Sequence, residues 1–565
     1  MRVAAGRPVP TMVKRRADND DEQVLPPAKR GRNSSPDQLS RLSDELLLRI
    51  LSYVPVTTLN VCQRVCRRFS AIASDHQLWK AAYYNRFVRP RASRLPGIKD
   101  ANTPDHLHFS SKVSKWLDEA NLVRRGKETN WKRQYKLRHN WSRGSCDVAE
   151  IPLSEAPPVP PVLVHLHDGT IYTADAIAGL RAWSTKKDRS LLASIPLEKN
   201  KERRQSAPTA LAVDTDDGNS MTQRVVVGYE DGSFNIFCLA RSTMNFARIY
   251  THPASSNGML SALSFAYPYL LTMTGMQLLS LYKFSSKPLE ACTQEILDPP
   301  RLLYSLRSHT VWPPLSLSIR QSSQSIVASI AYSLPTYFSG WSVGIQEIHI
   351  TSDGKLLDSR LASADHSGFR TLSSSRNLPP SPGGASDPGT PAESGPIRSK
   401  PSSLSYTHPY LLSSHPDNTL TFYMVTSTGS SLSISPGTRL WGHTSSVSGA
   451  HVGGRGKAVS VSSRGDELRV WELEGGMVSS ASRRRNPSGK LSIRIRPEKR
   501  ISSAADSTSF HHNADHISAG LGSPLERNLD EVAVTKGWIG FDEEQVIILR
   551  ERNEGSQALV VYDFT

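Results

Sequence analysis

Two short runs and five cysteines hold the residue types best suited to chemistry in this 565-residue chain. The run GGRGKA at 453–458 has the glycines and the lysine of a loop that cradles phosphate. Its spacing fails that role: His451 stands where the first glycine belongs, Ala458 replaces the Ser or Thr, and a strand pattern follows where a helix is needed. A hairpin turn is expected there. The run HHNADH at 511–516 offers imidazoles and a carboxylate to a metal, but nothing around it would orient the ligands, so a solvated loop is expected. Cys62, Cys66, Cys146, Cys238 and Cys292 are odd in number and lack CxxC spacing, which predicts neither a disulfide framework nor a zinc site. No Ser/His/Asp, Cys/His or paired-carboxylate arrangement stands out. The expectation is a chain that is not an enzyme and holds no metal or cofactor.

Basic residues are concentrated at one end. Residues 1–150 carry +14 of the formal charge of +16, a field that attracts nucleic acid, acidic proteins or an import receptor. Within it, Lys14, Arg15 and Arg16 are separated by a twelve-residue spacer from Lys29, Arg30 and Arg32, which reads as a two-part nuclear import signal. No run of 18 apolar residues occurs, so no membrane partner is expected and the location predicted is nuclear or nucleocytoplasmic.

Periodicity shows what must position these residues. Leu42, Leu46, Leu47, Ile50, Leu51 and Val54 recur at helical spacing, with Ser43 as cap, Asp44 and Glu45 as first-turn acids, and Pro55 as the stop. Leu59, Cys62, Val65, Cys66 and Phe69 repeat the spacing, and Leu78 with Trp79 closes the segment. Three short helices are expected, with Cys62 and Cys66 one turn apart on the second. About 40 residues rarely bury enough surface to fold alone, so something else must cover the apolar face.

This order of residues, from Leu42-Ser43-x-Glu45-Leu46 through Ile50-Leu51, Pro55, Leu59, Val65-Cys66-Arg67-Arg68-Phe69 and Leu78-Trp79, resembles an F-box. In its family that module docks on the Skp adaptor of cullin-based ubiquitin ligases. Ser43 stands where the family usually has proline and Phe69 where it has tryptophan; serine still caps a helix and phenylalanine still packs. The resemblance implies that Leu42, Leu46, Ile50, Leu51, Leu59, Val65 and Trp79 meet a Skp-type adaptor and, through it, cullin.

Residues 111–144 read as two more helices anchored by Trp116, Leu117, Trp131 and Tyr135. The spacing of Trp131, Lys132, Tyr135, Arg138, Asn140 and Trp141 resembles the connector of F-box/WD-repeat proteins. A nucleic-acid surface would also interleave aromatics with Lys and Arg, but amphipathic helical spacing accounts for the same residues. Beyond 150 the pattern alternates with period two, and YEDGSFNIF (229–237) and HPDNTLTFY (415–423) both place an Asp six residues before a strand aromatic. GLRAW, ELRVW and ALVVY, ending at Trp183, Trp471 and Tyr562, repeat the strand. These repeats resemble WD-repeat propeller blades, the clearest at 442–473. There the resemblance matches His443, Ser463 and Trp471 to the blade's buried polar network, with Gly465 in the acid's usual place and Asp466 after it, so a shifted or incomplete network is expected. Blades are read near 161–197, 207–250, 258–295, 301–361, 400–440, 441–475 and 530–565, with 146–153 as a latch for the last.

The fold class expected is therefore multidomain, a small all-α F-box and helical connector followed by an all-β propeller, most simply of seven blades. The map is a disordered basic tail at 1–36, an F-box at 37–88, a helical connector at 89–145 and a propeller at 146–565, with disordered inserts at 371–400 and 476–529. Ser381, Thr390 and Ser523 precede prolines and are candidate phosphate acceptors. The family resemblance implies the substrate-recognition subunit of an SCF-type ubiquitin ligase. Arg464 sits where related receptors place a phosphate-reading arginine, but Glu230 and Pro416 stand at two equivalent places, so reading of phosphorylated motifs is not expected. The second reading is a nuclear scaffold or chromatin-associated protein whose residues 1–150 contact nucleic acid.

Overall fold

A computed structural model describes residues 39–88 and, with interruptions, 129–565; the longest interruptions are 372–398, 474–491 and 498–537. The import-signal residues, Trp116, Leu117, Ser381, Thr390, Ser523 and the 511–516 run lie outside the described residues. The chain divides into two compact units after Leu78.

The first unit is a helical hairpin and its continuation. Helix α1 (Asp44–Leu51) starts after Ser43 in extended conformation, and Asp44 accepts hydrogen bonds from Arg68 at 2.7 and 2.9 Å. Helices α2 (Val56–Cys62) and α3 (Arg67–Ala73) follow, then α4 (His76–Tyr83). The single second helix expected across 59–69 is thus two, and Cys66 is the N-cap of α3, its Sγ accepting the Phe69 N–H at 3.4 Å. The reason is burial. Leu59 and Ile72 share one core with Leu47, Leu51, Ala73 and Leu78, whereas a straight helix would hold them about 20 Å apart.

The second unit contains helix α5 (Trp131–Arg143) and seven sheets among the described residues. Asn130 caps α5 by accepting the Arg133 N–H at 3.0 Å, and Gly144 ends it at φ +69°. A Cβ on Gly144 would lie 2.5 Å from the Arg494 carbonyl oxygen, so only glycine serves there. The blades run 163–195, 208–252, 260–307, 312–363, 403–441, 447–494 and 539–563. Strand Ser145–Ser154 completes the seventh by pairing antiparallel with Gln557–Asp563, which is the latch expected at 146–153. First strands of successive blades touch around a closed ring. Each blade presents two apolar faces, and clusters such as that of Tyr172, Leu180, Val225 and Phe237 take residues from two neighbours, so no blade can bury its faces alone.

Seven is the count expected, but two boundaries differ. Arg301–Arg307 closes the third blade rather than opening the fourth. A long connection separates it from Leu278–Lys283, and sequence spacing alone hands such a strand to the next repeat. Ser492–Arg494 is the outer strand of the sixth blade and Arg496–Pro497 pairs parallel with Ser145 and Cys146, both inside the stretch read as one insert at 476–529. Their signal is the alternation in LSIRIR (491–496), hidden by flanking polar sequence. GGRGKA forms the expected hairpin turn between Val447–Val452 and Lys457–Ser462. Cys238, wholly buried in blade two, is disulfide-bonded; Cys62, Cys66 and Cys146 form no disulfide.

Because neighbouring strands are antiparallel, the start of each inner strand and the turn between second and third strands lie at one end of the ring, here termed the front face. Inner strands wall the central channel. On that wall burial pushes the imidazoles of His165 and His451 down to about 4, with His165 also opposed by His167 and His451. The unfolded chain takes these protons near pH 6.5 and the folded chain near pH 4, so the folded state binds fewer between the two values. Stability should therefore fall as pH drops through that window, by about 1–3 kcal/mol in all once water in the channel is allowed for. Asp542, whose carboxyl burial pushes up to about 6, acts in the opposite sense between pH 6 and 4. Melting curves of wild type and a His165→Gln/His451→Gln variant isolate the histidines: the variant should lose less stability on acidification.

Candidate functional site

Helix α1 carries two apolar stripes side by side. Leu47 and Leu51 point into the core, while Leu46 and Ile50, also one turn apart, remain exposed. Tyr53, Val61 and Val65 extend the exposed set at 73%, 62% and 67% exposure, and the Arg49 guanidinium lies 5.1 Å above the Tyr53 ring. So many large apolar side chains on one small helical unit make a face suited to a protein partner.

Of the seven residues expected on that face, Leu46, Ile50 and Val65 are exposed and Leu42 is half-buried against the core. Leu51, Leu59 and Trp79 are a correction: all three are buried. Leu51 and Leu59 build the hairpin core, and Trp79 packs edge-on against Tyr135 at 5.5 Å in the second unit. Tyr53 and Val61 were missed, because a helix apolar on more than one side does not disclose which stripe turns inward.

Helix α5 is anchored at both ends by aromatic side chains. Trp131 meets Tyr83 and Tyr84, and Tyr135 meets Phe87 and accepts a 2.6 Å hydrogen bond from Arg86. At its other end Trp141 stacks on Phe564 at 4.0 Å and donates Nε1–H to the Glu543 carbonyl at 2.9 Å. Arg133 pairs with Glu544 at 2.7 Å, and Asn140 donates to the Phe564 carbonyl at 2.8 Å. Trp131, Tyr135 and Trp141 are buried, so their rings are not presented for stacking on bases. Trp141 seats the helix against the last blade and its closing strand, while Trp131 and Tyr135 hold its start on Tyr83, Tyr84 and Phe87.

The polar network of blade six keeps His443 and Trp471 as expected but takes its serine and its acid from other positions. Trp471 Nε1–H donates to Ser460 Oγ at 2.7 Å, Ser460 Oγ lies 2.6 Å from His443 Nε2, and His443 Nδ1 lies 3.4 Å from Glu467 Oε2. Ser463 instead bonds Ser446, and Gly465 supplies the turn at φ +70°. Ser460 sits mid-strand on the face shared with Trp471's indole, which the turn-end Ser463 cannot reach. Burial pushes the Glu467 carboxyl up, but the Thr444 N–H, Arg469 and His443 outweigh it and leave it below the usual range. Arg464 projects exposed from the front-face turn of this blade.

A family model described as the F-box protein pof12 beta-propeller matches residues 146–565, and one described as F-box-like matches residues 39–85. Over 83 residues the chain is 34% identical to F-box protein dre-1 of Caenorhabditis elegans, which is 14% of this chain and 8% of that relative's length. Among solved structures, the WD40 propeller domain of Doa1 is 12% identical with a TM-score of 0.36, covering 74% of this chain and 96% of that one. The propeller domain of Cps50 (Swd1) from Myceliophteria thermophila is 9% identical with a TM-score of 0.37, covering 74% and 100%. With a helical F-box segment ahead of seven blades and a family model matched along the entire ring, the chain belongs to the F-box protein pof12 beta-propeller family.

Proposed function

We propose that this chain is the substrate-recognition subunit of an SCF-type ubiquitin ligase. Its F-box docks on a Skp-type adaptor, cullin joins through that adaptor, and the propeller holds the protein to be ubiquitinated. The observation that carries the reading is the exposure of Leu46, Ile50, Tyr53, Val61 and Val65 on a unit whose core is already filled. The chain supplies geometry rather than a nucleophile: holding a target lysine near a ubiquitin-loaded enzyme raises effective concentration. Nuclear import through the clusters at 14–16 and 29–32 belongs to the same proposal.

A pulldown of purified adaptor and cullin by the full chain tests it. Wild type should recover both, and a Leu46→Ala/Ile50→Ala variant should bind about 100-fold more weakly, since both side chains are exposed anchors whose loss leaves the hairpin core intact. No recovery by folded wild type sinks the reading. The +14 on residues 1–150 favours one rival, a nucleic-acid-binding scaffold. Its affinity would fall steeply with salt, whereas an apolar helix face is nearly indifferent to it.

A further inference from the structure

Blades four and five meet at a seam whose front-face mouth carries three tryptophans. Trp312 opposes Ser333 and Trp341 opposes Pro335, two residues apart on the same strand, so both rings stand on one face of blade four. That face is the one whose Ala331 and Val343 pack with Leu411 and Tyr423 of blade five. On blade five, Trp441 opposes Thr419 and Arg439 opposes Thr421, in step with Tyr423, so these side chains look back toward blade four. Trp312 is 43% and Trp441 56% exposed, and Trp341 is half-buried. Three partly exposed indoles at one seam are unusual unless something covers them.

Cations outnumber carboxylates at this mouth among the described residues. Lys400 Nζ lies 5.2 Å above the Trp341 ring, and the Arg439 guanidinium lies 4.8 Å above Trp441. Asp417 is the one carboxylate there among the described residues, and Arg439 already holds it. Lys400 pairs with no carboxylate among the described residues. A single uncommitted ammonium is too little for phosphate, which needs several converging donors, and too little for a nucleic-acid backbone. It suits a carboxylate beside an apolar anchor.

We propose that the mouth of the seam between blades four and five docks an acidic, unphosphorylated protein segment with an aromatic or aliphatic anchor. Trp312, Trp341 and Trp441 take the anchor, and Lys400 faces a flanking carboxylate. The proposal rests on the receptor reading above and assigns its target surface, to the side of the central channel.

A degenerate library of displayed 12-residue peptides, panned on the full chain, tests it. Recovered peptides should place two or more Asp or Glu within four residues of a Phe, Trp or Leu. Their affinity, read by fluorescence anisotropy, should weaken about tenfold or more in Lys400→Glu and in Trp441→Ala. Ile177→Ala, on an exposed front-face turn of blade one, should leave it unchanged. Melting curves confirm that each variant is folded. Peptides with no acidic bias, equal binding by folded variants, a requirement for phosphoserine, or no recovery at all would each overturn the assignment. Adaptor capture is scored separately, so this site can fail while the receptor reading stands.

Discussion

Glu347→Ala should lower the melting temperature of the propeller more than almost any other single change, at a cost of about 3 kcal/mol or more. Glu347 is wholly buried on the third strand of blade four. Arg320 of the same blade pairs with it, and Ser427 of blade five donates to it at 2.6 Å. Tyr406 of blade five donates at 3.5 Å, and burial pushes that phenol up, with Arg320 opposing and Glu347 assisting. Removing the carboxylate takes away the acceptor shared by a guanidinium and two hydroxyls, and an orphaned buried group costs more than the intact pair contributes. Arg320 keeps some contact with solvent, which holds the cost to the lower part of that range. Glu347→Gln should lose less, because the amide still accepts from Ser427. Thermal and urea unfolding of the three proteins decides; an unchanged alanine variant would mean that the pair adds nothing to the seam.

Trp141→Ala should release helix α5 from the ring, with a loss of about 3–5 kcal/mol. The indole stacks on Phe564, donates to Glu543, and lies under the Lys457 ammonium at 4.0 Å. Alanine leaves a cavity where three elements meet. Trp141→Phe keeps the stacking and forfeits one hydrogen bond, a loss of about 1 kcal/mol. Hydrogen exchange should show the amides of 131–143 losing protection in the alanine variant while those of blades two to four keep theirs. Uniform protection across both regions would refute a local role for this ring.

Much of the architecture is legible in the residues. The alternating strands, the turn glycines and aspartates, and the repeated strand aromatics suffice for seven blades, because each strand's two faces are buried and the period-two pattern repeats locally. The latch at 146–153 is legible too, since a ring of seven four-stranded blades lacks one strand at its end. Outer strands are less so. Arg301–Arg307 and Ser492–Arg494 are partly exposed and far from their partners in sequence, so nothing local ties them to a blade.

Side-chain roles divide along the same line. That α1 is apolar on more than one side follows from Leu46, Leu47, Ile50 and Leu51 alone. Which stripe faces out does not, because helical spacing repeats equally for both and only packing against α2 and α3 selects Leu47 and Leu51 for the core. Blade six shows the same limit: His443 and Trp471 announce a polar network, but strand register chose Ser460 and Glu467 over neighbours of similar chemistry. The three tryptophans at the seam of blades four and five are unremarkable in sequence, separated by 29 and 100 positions. The sequence by itself determined the class of fold and the presence of a short helical module ahead of the blades, both written in local periodicity, with seven as the best blade count and six or eight left open. Which apolar side chains remain exposed, and which distant ones share a surface, only the tertiary structure decided, because burial and cross-strand register are set by the whole chain at once.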